Sequence, residues 1–251
     1  MKEKVVLAFS GGLDTSYCAI YLSKVLGYEV HAVLVNTGGF SAEELSEIEN
    51  KAKNLGVASY HCIDATIDYY EKVVKYLVFG NVLKNNTYPL SVSAERISQA
   101  TAIAEYVKKI GAKAVAHGST GAGNDQVRFD AIFNILIPKT HIITPIRDNK
   151  LSREEEVAFL KENGIEINAE KAKYSINKGF WGTSVGGKET LTSHAPLPEQ
   201  AYPSQVTAHT SQDIVLHFEQ GELKGIDNQQ FTHPTLAIQA LEKLASPYGI
   251  G

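Results

Sequence analysis

Val5–Ser16 reads VVLAFSGGLDTS. Its first half lies within Lys4–Phe9, a short run rich in β-branched residues, as expected of a buried strand. Ser10-Gly11-Gly12 breaks the run. From Asp14 to Leu26 apolar residues recur at helical spacing, with Cys18, Leu22 and Val25 on one face. A strand that passes through a glycine turn into a helix is the opening unit of a parallel α/β sheet. The turn also suits an anion. Glycine lets backbone N–H groups come close to a ligand, Ser10, Thr15 and Ser16 offer hydroxyls, and the helix N-terminus carries partial positive charge. In open α/β sheets, ligands bind at the carboxyl ends of the strands, where this turn falls. The same residues would also serve an ordinary strand-to-helix turn with a Ser or Asp cap. No Gly-Lys-Ser/Thr closes the loop and GxGxxG is absent, so it is neither a Walker A loop nor a dinucleotide fingerprint. Gly12 is expected to give the closest backbone approach, with strain on substitution if its φ is positive.

Outward from this unit the alternation continues. Residues 29–35, 58–63, 112–117 and 141–143 read as further strands. Helical patterns cover 41–55, 66–79, 93–110, 126–136 and 152–161. Ser41 with Glu44, and Ser152 with Glu155, have capping-box spacing. Ile97, Ala100, Ala104 and Val107 form the apolar stripe of the longest helix. Five alternations predict an α/β fold, a five-stranded parallel doubly wound sheet with helices on both faces. After about residue 165 the rhythm changes to Gly, Ser, Thr and Pro. Residues 213–226 then resemble a β-hairpin, and 233–244 a helix. The expected division is a nucleotide-binding domain over 1–165 and part of an α+β domain over 166–251.

The chain has 251 residues, with 24 Lys and Arg against 28 Asp and Glu, a net charge of −4. That balance argues against nucleic acid as a partner, because phosphate backbones need clustered cations. Hydrophobic residues at 43% and charged residues at 21% fit an ordinary globular core and exclude disordered and disulfide-scaffold classes. Cys18 and Cys62 sit in separate apolar runs and read as small buried hydrophobes. No CxxC or HExxH spacing is present, so no protein-bound metal is expected. No run reaches the length of a membrane span, and the first residues lack a signal-peptide pattern, so a cytoplasmic protein without a membrane partner is expected. His31, His61 and His141 have no ligand spacing, and Trp181 reads as a packing residue. His117 is held as a group behind a ligand site.

SGGLDTS resembles the PP-loop of N-type ATP pyrophosphatases. In order along residues 5–187, further stretches resemble the argininosuccinate synthase family. They are Tyr88-Pro89-Leu90 with Ser93, then HGSTGAGNDQVRF over His117–Phe129, then Tyr174-Ser175 with Ser184. The resemblance implies a ligase of arginine biosynthesis and the urea cycle that uses ATP and Mg²⁺ to join citrulline to aspartate through an AMP-linked citrulline. It implies ATP contacts from Ala8, Phe9, Ser10, Gly11, Gly12, Leu13, Asp14, Thr15, Ser16, Val35 and Gly118. Thr120, Asn124 and Asp125 would take aspartate. Tyr88, Ser93, Asn124, Arg128, Ser175 and Ser184 would take citrulline. Ser10, Asp14, Asp125 and Arg128 are the expected catalytic set. A guanidinium at Arg128 suits an amino-acid carboxylate. Ala122 stands where many members carry Lys, and Phe9 where many carry Tyr. Family members are longer and form homotetramers through a later helix, so a truncated chain is expected, unable to form that tetramer. The other readings are a different PP-loop ATPase, for tRNA thiolation or amidotransferase synthesis, and a nucleotide-binding remnant without turnover. Two poorly placed cysteines and the net negative charge weigh against thiolation of RNA.

Overall fold

The computed structural model describes residues 2–166, 174–187 and 189–250. Strands β1 (Lys4–Ala8), β2 (Glu29–Asn36), β3 (Ser59–Asp64), β4 (Ala114–Ala116) and β5 (His141–Ile143) pair in parallel in the order β3-β2-β1-β4-β5. This is the expected doubly wound sheet. Its central strand is buried on both faces. Val5 and Leu7 pack in one apolar cluster with Cys18, Leu22, Ala52 and Leu160. Val6 points the other way, toward Ile103, Ala104, Val107 and Phe133. That is why β1 reads as a continuous apolar run and not as an alternation.

The helices are α1 (Leu13–Ile20), α2 (Ala42–Asn54), α3 (Thr66–Tyr69), α4 (Lys75–Phe79), α5 (Ser91–Ile110), α6 (Asp125–Leu136), α7 (Pro145–Asn149) and α8 (Arg153–Glu162). Both capping boxes form, Ser41 N–H donating to Glu44 Oε2 at 2.7 Å and Ser152 N–H to Glu155 Oε2 at 2.7 Å. Each such N-cap contributes about 1 kcal/mol. Two stripe assignments differ from the periodicity. Val25 is exposed because Tyr21–Val25 is a π turn, with Leu26 N–H donating to the Tyr21 carbonyl, and the extra residue in the turn rotates it outward. Ile97 is also exposed. Besides Val92 at its start, the buried apolar residues of α5 are Ala100, Ile103, Ala104 and Val107, and Ile97 lies off their face.

The chain forms two compact units that are not consecutive stretches of sequence. One comprises Met1–Asn36, Phe40–Ala65 and Ser93–Ala169, the other Thr37–Gly39, Thr66–Val92 and Glu170–Gly251. Thr66–Val92, expected with the first sheet, packs instead with the C-terminal residues. Aromatic contact drives this. The Tyr69 and Tyr70 rings lie 5.9 and 6.4 Å from Phe180, and the Tyr70 hydroxyl donates to Glu222 Oε1 at 2.8 Å.

The second unit holds an antiparallel pair, β6 (Ser175–Gly179) with β7 (Gly182–Gly186). It also holds a small antiparallel sheet of β8 (Leu216–Glu219), β9 (Glu222–Ile226) and β10 (Gln229–Gln230), followed by α9 (Pro234–Ala245). The hairpin expected within 213–226 is β8–β9, turning at Gln220-Gly221, both at positive φ.

Candidate functional site

β1 ends at Ala8, and Phe9 N–H still donates to the Val33 carbonyl at 2.9 Å before the chain leaves the sheet. Gly11 turns it, with φ of +74°. Gly12 is extended, at φ −71° and ψ 178°, and is the N-cap of α1. The seven residues of the loop divide by exposure. Leu13 and Ser16 are buried, and Ser16 Oγ donates to the Gly12 carbonyl at 2.6 Å, so both secure the loop from within. Ser10 and Gly12 are exposed, and Gly11, Asp14 and Thr15 are half-buried. The Ser10 and Thr15 hydroxyls lie 3.4 Å apart. The outer surface is therefore hydroxyls and glycine backbone at a helix N-terminus, the chemistry of an anion cradle.

The positive φ that would strain a side chain falls at Gly11 and not at Gly12. A Cβ on Gly12 would meet only Ser10 Oγ, at 3.4 Å, and its φ suits any residue. A Cβ on Gly11 would stand 3.2 Å from Ile48 in a left-handed backbone. Gly11→Ala should cost about 1–2 kcal/mol from the backbone alone, whereas Gly12→Ala should leave stability nearly unchanged. Urea unfolding of both variants checks this. Equal losses would contradict the assigned conformations.

β1 lies between β2 and β4, so the strand order reverses here, at the switch point where open α/β sheets bind ligands. The loop after β4 comes against the loop after β1. A Cβ on Gly118 would lie 3.1 Å from the Asp14 Cβ and 3.2 Å from its carbonyl carbon, so the two backbones touch because residue 118 has no side chain. On the other side, β2 overhangs β1. The last β1–β2 pair is Ala8–Val33, while Val35 continues the pairing with β3 at Ile63.

The loop after β4 is held from behind. His117 is 1% exposed. Its Nδ1 accepts from Ser119 N–H at 3.3 Å, which leaves Nε2–H to donate to Asp130 Oδ1 at 2.9 Å. Arg147 donates to Asp130 Oδ2 at 2.6 Å and to Gln126 Oε1 at 3.0 Å. Gln126 in turn donates to the Gly121 and Gly123 carbonyls. Hydrogen bonding from His117, with a further bond from Arg147, holds the Asp130 carboxyl below its usual range. His117 thus braces the loop from within.

Beyond this loop, three sequence-identified residues meet. Arg128 donates through one nitrogen to Asp125 Oδ1 at 2.7 Å and through another to Ser93 Oγ at 2.9 Å. Asp125, at the start of α6, faces a second guanidinium that the sequence did not single out. Arg96 Nε donates to Asp125 Oδ2 at 3.0 Å and its NH1 to Gln99 Oε1 at 3.0 Å. Thr120 and Asn124 are exposed on the loop, and Asn124 is the N-cap of α6.

Residues 4–166 match the family described as arginosuccinate synthase N-terminal HUP domain. The chain belongs to the argininosuccinate synthase family. It is similar along its whole length to curated members named argininosuccinate synthase. That of Methanocaldococcus jannaschii is 37% identical over 254 residues, covering 100% of this chain and 64% of the relative. Those of Sulfolobus acidocaldarius and Staphylococcus carnosus are 36% and 35% identical, covering 99% and 100% of this chain and 63% of each relative. The chain thus spans a little under two thirds of the length of these relatives.

The other positions singled out in the sequence belong to the second unit. Tyr88 pairs with Lys84 through backbone hydrogen bonds of 2.8 and 3.0 Å. Ser184 lies on β7 opposite Asn177, and Ser175 on β6 opposite Gly186. The Ser175 side chain lies outside what is described. Trp181, at the β6–β7 turn, donates Nε1–H to the Pro89 carbonyl at 3.1 Å, a packing and anchoring role as expected.

Two charged side chains behind the loop between β1 and α1 also escaped the sequence reading. Lys51 of α2 donates to the Gly11 carbonyl. Glu156 of α8 is 1% exposed, and its Oε2 has no hydrogen-bond partner. Burial first, then the charge and hydrogen bond of Asp14, push the Glu156 carboxyl up to about 8. The protonated form is thereby favoured, and it can share a hydrogen bond with Asp14. Among the described residues no group of three or more His, Cys, Asp or Glu forms an ion site, and no helix is long and apolar enough to cross a membrane.

Proposed function

We propose that this chain supplies the nucleotide-activating machinery of an ATP-dependent ligase joining citrulline to aspartate. The observation that carries this reading is the backbone contact of Gly118 with Asp14 at the switch point. It sets an anion cradle beside the loop that leads to the Arg128–Asp125–Ser93 cluster. In this reading the Gly12 N–H and the Ser10 and Thr15 hydroxyls face the leaving pyrophosphate. Leu13 and Ser16 brace the loop, and the overhang of β2 at Val35 receives the adenine. Arg128 and Ser93 hold the citrulline carboxylate, with Asn124. Thr120, Asn124 and Asp125 face aspartate. The roles of Tyr88, Ser175 and Ser184 toward citrulline rest on the family resemblance alone. Mg²⁺ is expected to enter bound to the triphosphate.

The reaction then has two displacements. The ureido oxygen of citrulline attacks the α-phosphorus of ATP and pyrophosphate leaves with the bonding electrons. The amine of aspartate next attacks the activated ureido carbon and AMP leaves. Fixed donors aimed at developing phosphate charge supply most of the first step.

Isotope exchange between pyrophosphate and ATP tests this reading. Exchange that requires citrulline is expected. Exchange that proceeds equally without citrulline would move the chain to another PP-loop chemistry, and none under any substrate would leave a nucleotide-binding protein.

A further inference from the structure

Lys51 is half-buried on α2, and its ammonium is placed on the carbonyl of Gly11. No carboxylate pairs with it among the described residues, and burial is the one cause that lowers its pKa. A desolvated ammonium without a counter-charge is unfavourable, so what it touches matters. Gly11 C=O and Gly12 N–H belong to one peptide plane, and no peptide bond here is cis. In a trans plane the two groups point in opposite directions. A carbonyl held toward α2 therefore turns the Gly12 N–H away from α2, toward the exposed side of the loop. There its contact is a long one, 3.4 Å to Ser10 Oγ. Between two glycines this plane has little else to fix it, since neither flanking residue has a Cβ. Donation to the carbonyl also polarises the peptide and makes its N–H a better donor.

We propose that Lys51 is a positioning residue of the nucleotide loop, holding the Gly11 carbonyl so that the Gly12 N–H is aimed at the bound phosphate. This rests on the reading of the loop as a pyrophosphate cradle. It adds a cation that acts on the ligand through the backbone it touches.

The test compares Lys51→Met and Lys51→Arg with the parent chain, using two readouts. The first is the Gly12 amide resonance of the nucleotide-free protein. The second is calorimetric affinity for inorganic pyrophosphate and, separately, for adenosine. The Met variant should move the Gly12 amide and weaken pyrophosphate binding by roughly tenfold, about 1.4 kcal/mol, with adenosine binding and melting temperature held. Arg should restore most of the loss. A Met variant with an unmoved Gly12 amide overturns the proposal, as does one that weakens pyrophosphate and adenosine equally. If Met does not fold, Lys51→Gln serves, because it too lacks the ammonium. A parent chain that binds no pyrophosphate defeats the cradle reading, and the amide resonance then still decides whether Lys51 orients the peptide.

Discussion

Glu156→Gln is expected to stabilise the protein progressively as pH rises from about 4.5, with the full gain reached above about pH 8. The carboxyl titrates from an ordinary value of 4.5 in the unfolded chain to about 8 in the folded one. Between those values the folded state binds the extra proton, so wild-type stability falls as pH rises through this window. Below it both states are protonated and the group has no effect. The groups that face Glu156 are Asp14 and Tyr17 of α1, with Cys18 behind them and Arg153 on its own helix. Asp14 opposes ionisation and Arg153 favours it, but burial dominates. Glutamine keeps the shape and can still donate to Asp14, without the charge. The gain at alkaline pH should be a few kcal/mol at most, since each tenfold change in proton affinity is worth about 1.4 kcal/mol. Asp130 works in the opposite sense, its contribution being lost in acid, so the difference between variant and wild type isolates Glu156. Chemical unfolding from pH 5 to 9 measures it. Parallel profiles for the two proteins would show that Glu156 is not the buried acid described.

The second large effect is expected at Arg128. Its two contacts use separate nitrogens of one planar fork, to Asp125 and to Ser93. Lysine keeps the charge but has a single nitrogen, so Arg128→Lys cannot span both. Losing a charge-assisted hydrogen bond costs about 1.5–3 kcal/mol, or about 10- to 150-fold in affinity. On the proposed reading, citrulline affinity should fall by that order while ATP affinity is held, since Arg128 lies beyond the loop between β1 and α1. Arg128→Ala should fall at the upper end and still leave Asp125 paired with Arg96. Equal losses for ATP and citrulline would make Arg128 a phosphate contact and remove it from the carboxylate site.

What the sequence conveyed follows from how each feature is encoded. β1, β2 and β4 were legible because buried parallel strands are apolar runs, the edge strands β3 and β5 because they recur at the same spacing between helices, and both capping boxes because Ser41–Glu44 and Ser152–Glu155 are local. Ser93, Asp125 and Arg128 were legible through motif, and the structure brings them together. Lys51, Arg96 and Glu156 were not. Each is a charged residue on an amphipathic helix, where periodicity marks the apolar face and assigns charge to solvent. Their burial depends on which loop lies opposite, and that is set by the sheet order. β6 and β7 were missed because Asn, Lys, Ser and Gly are poor strand formers, so no alternation marks them. The membership of Thr66–Val92 was missed because its partners lie far along the chain.

That last separation has a consequence for synthesis on the ribosome. Tyr70 and Glu222, which bond in the finished protein, are 152 residues apart. At roughly 5–20 residues per second, Tyr70 waits on the order of ten to thirty seconds for its partner. The strands of the parallel sheet are all translated by Ile143, well before Phe180 or Glu222. The first unit can therefore close while Thr66–Val92 hangs from it as a long loop, with Tyr69 and Tyr70 wet. During that interval the nascent chain presents aromatic surface that the mature protein buries.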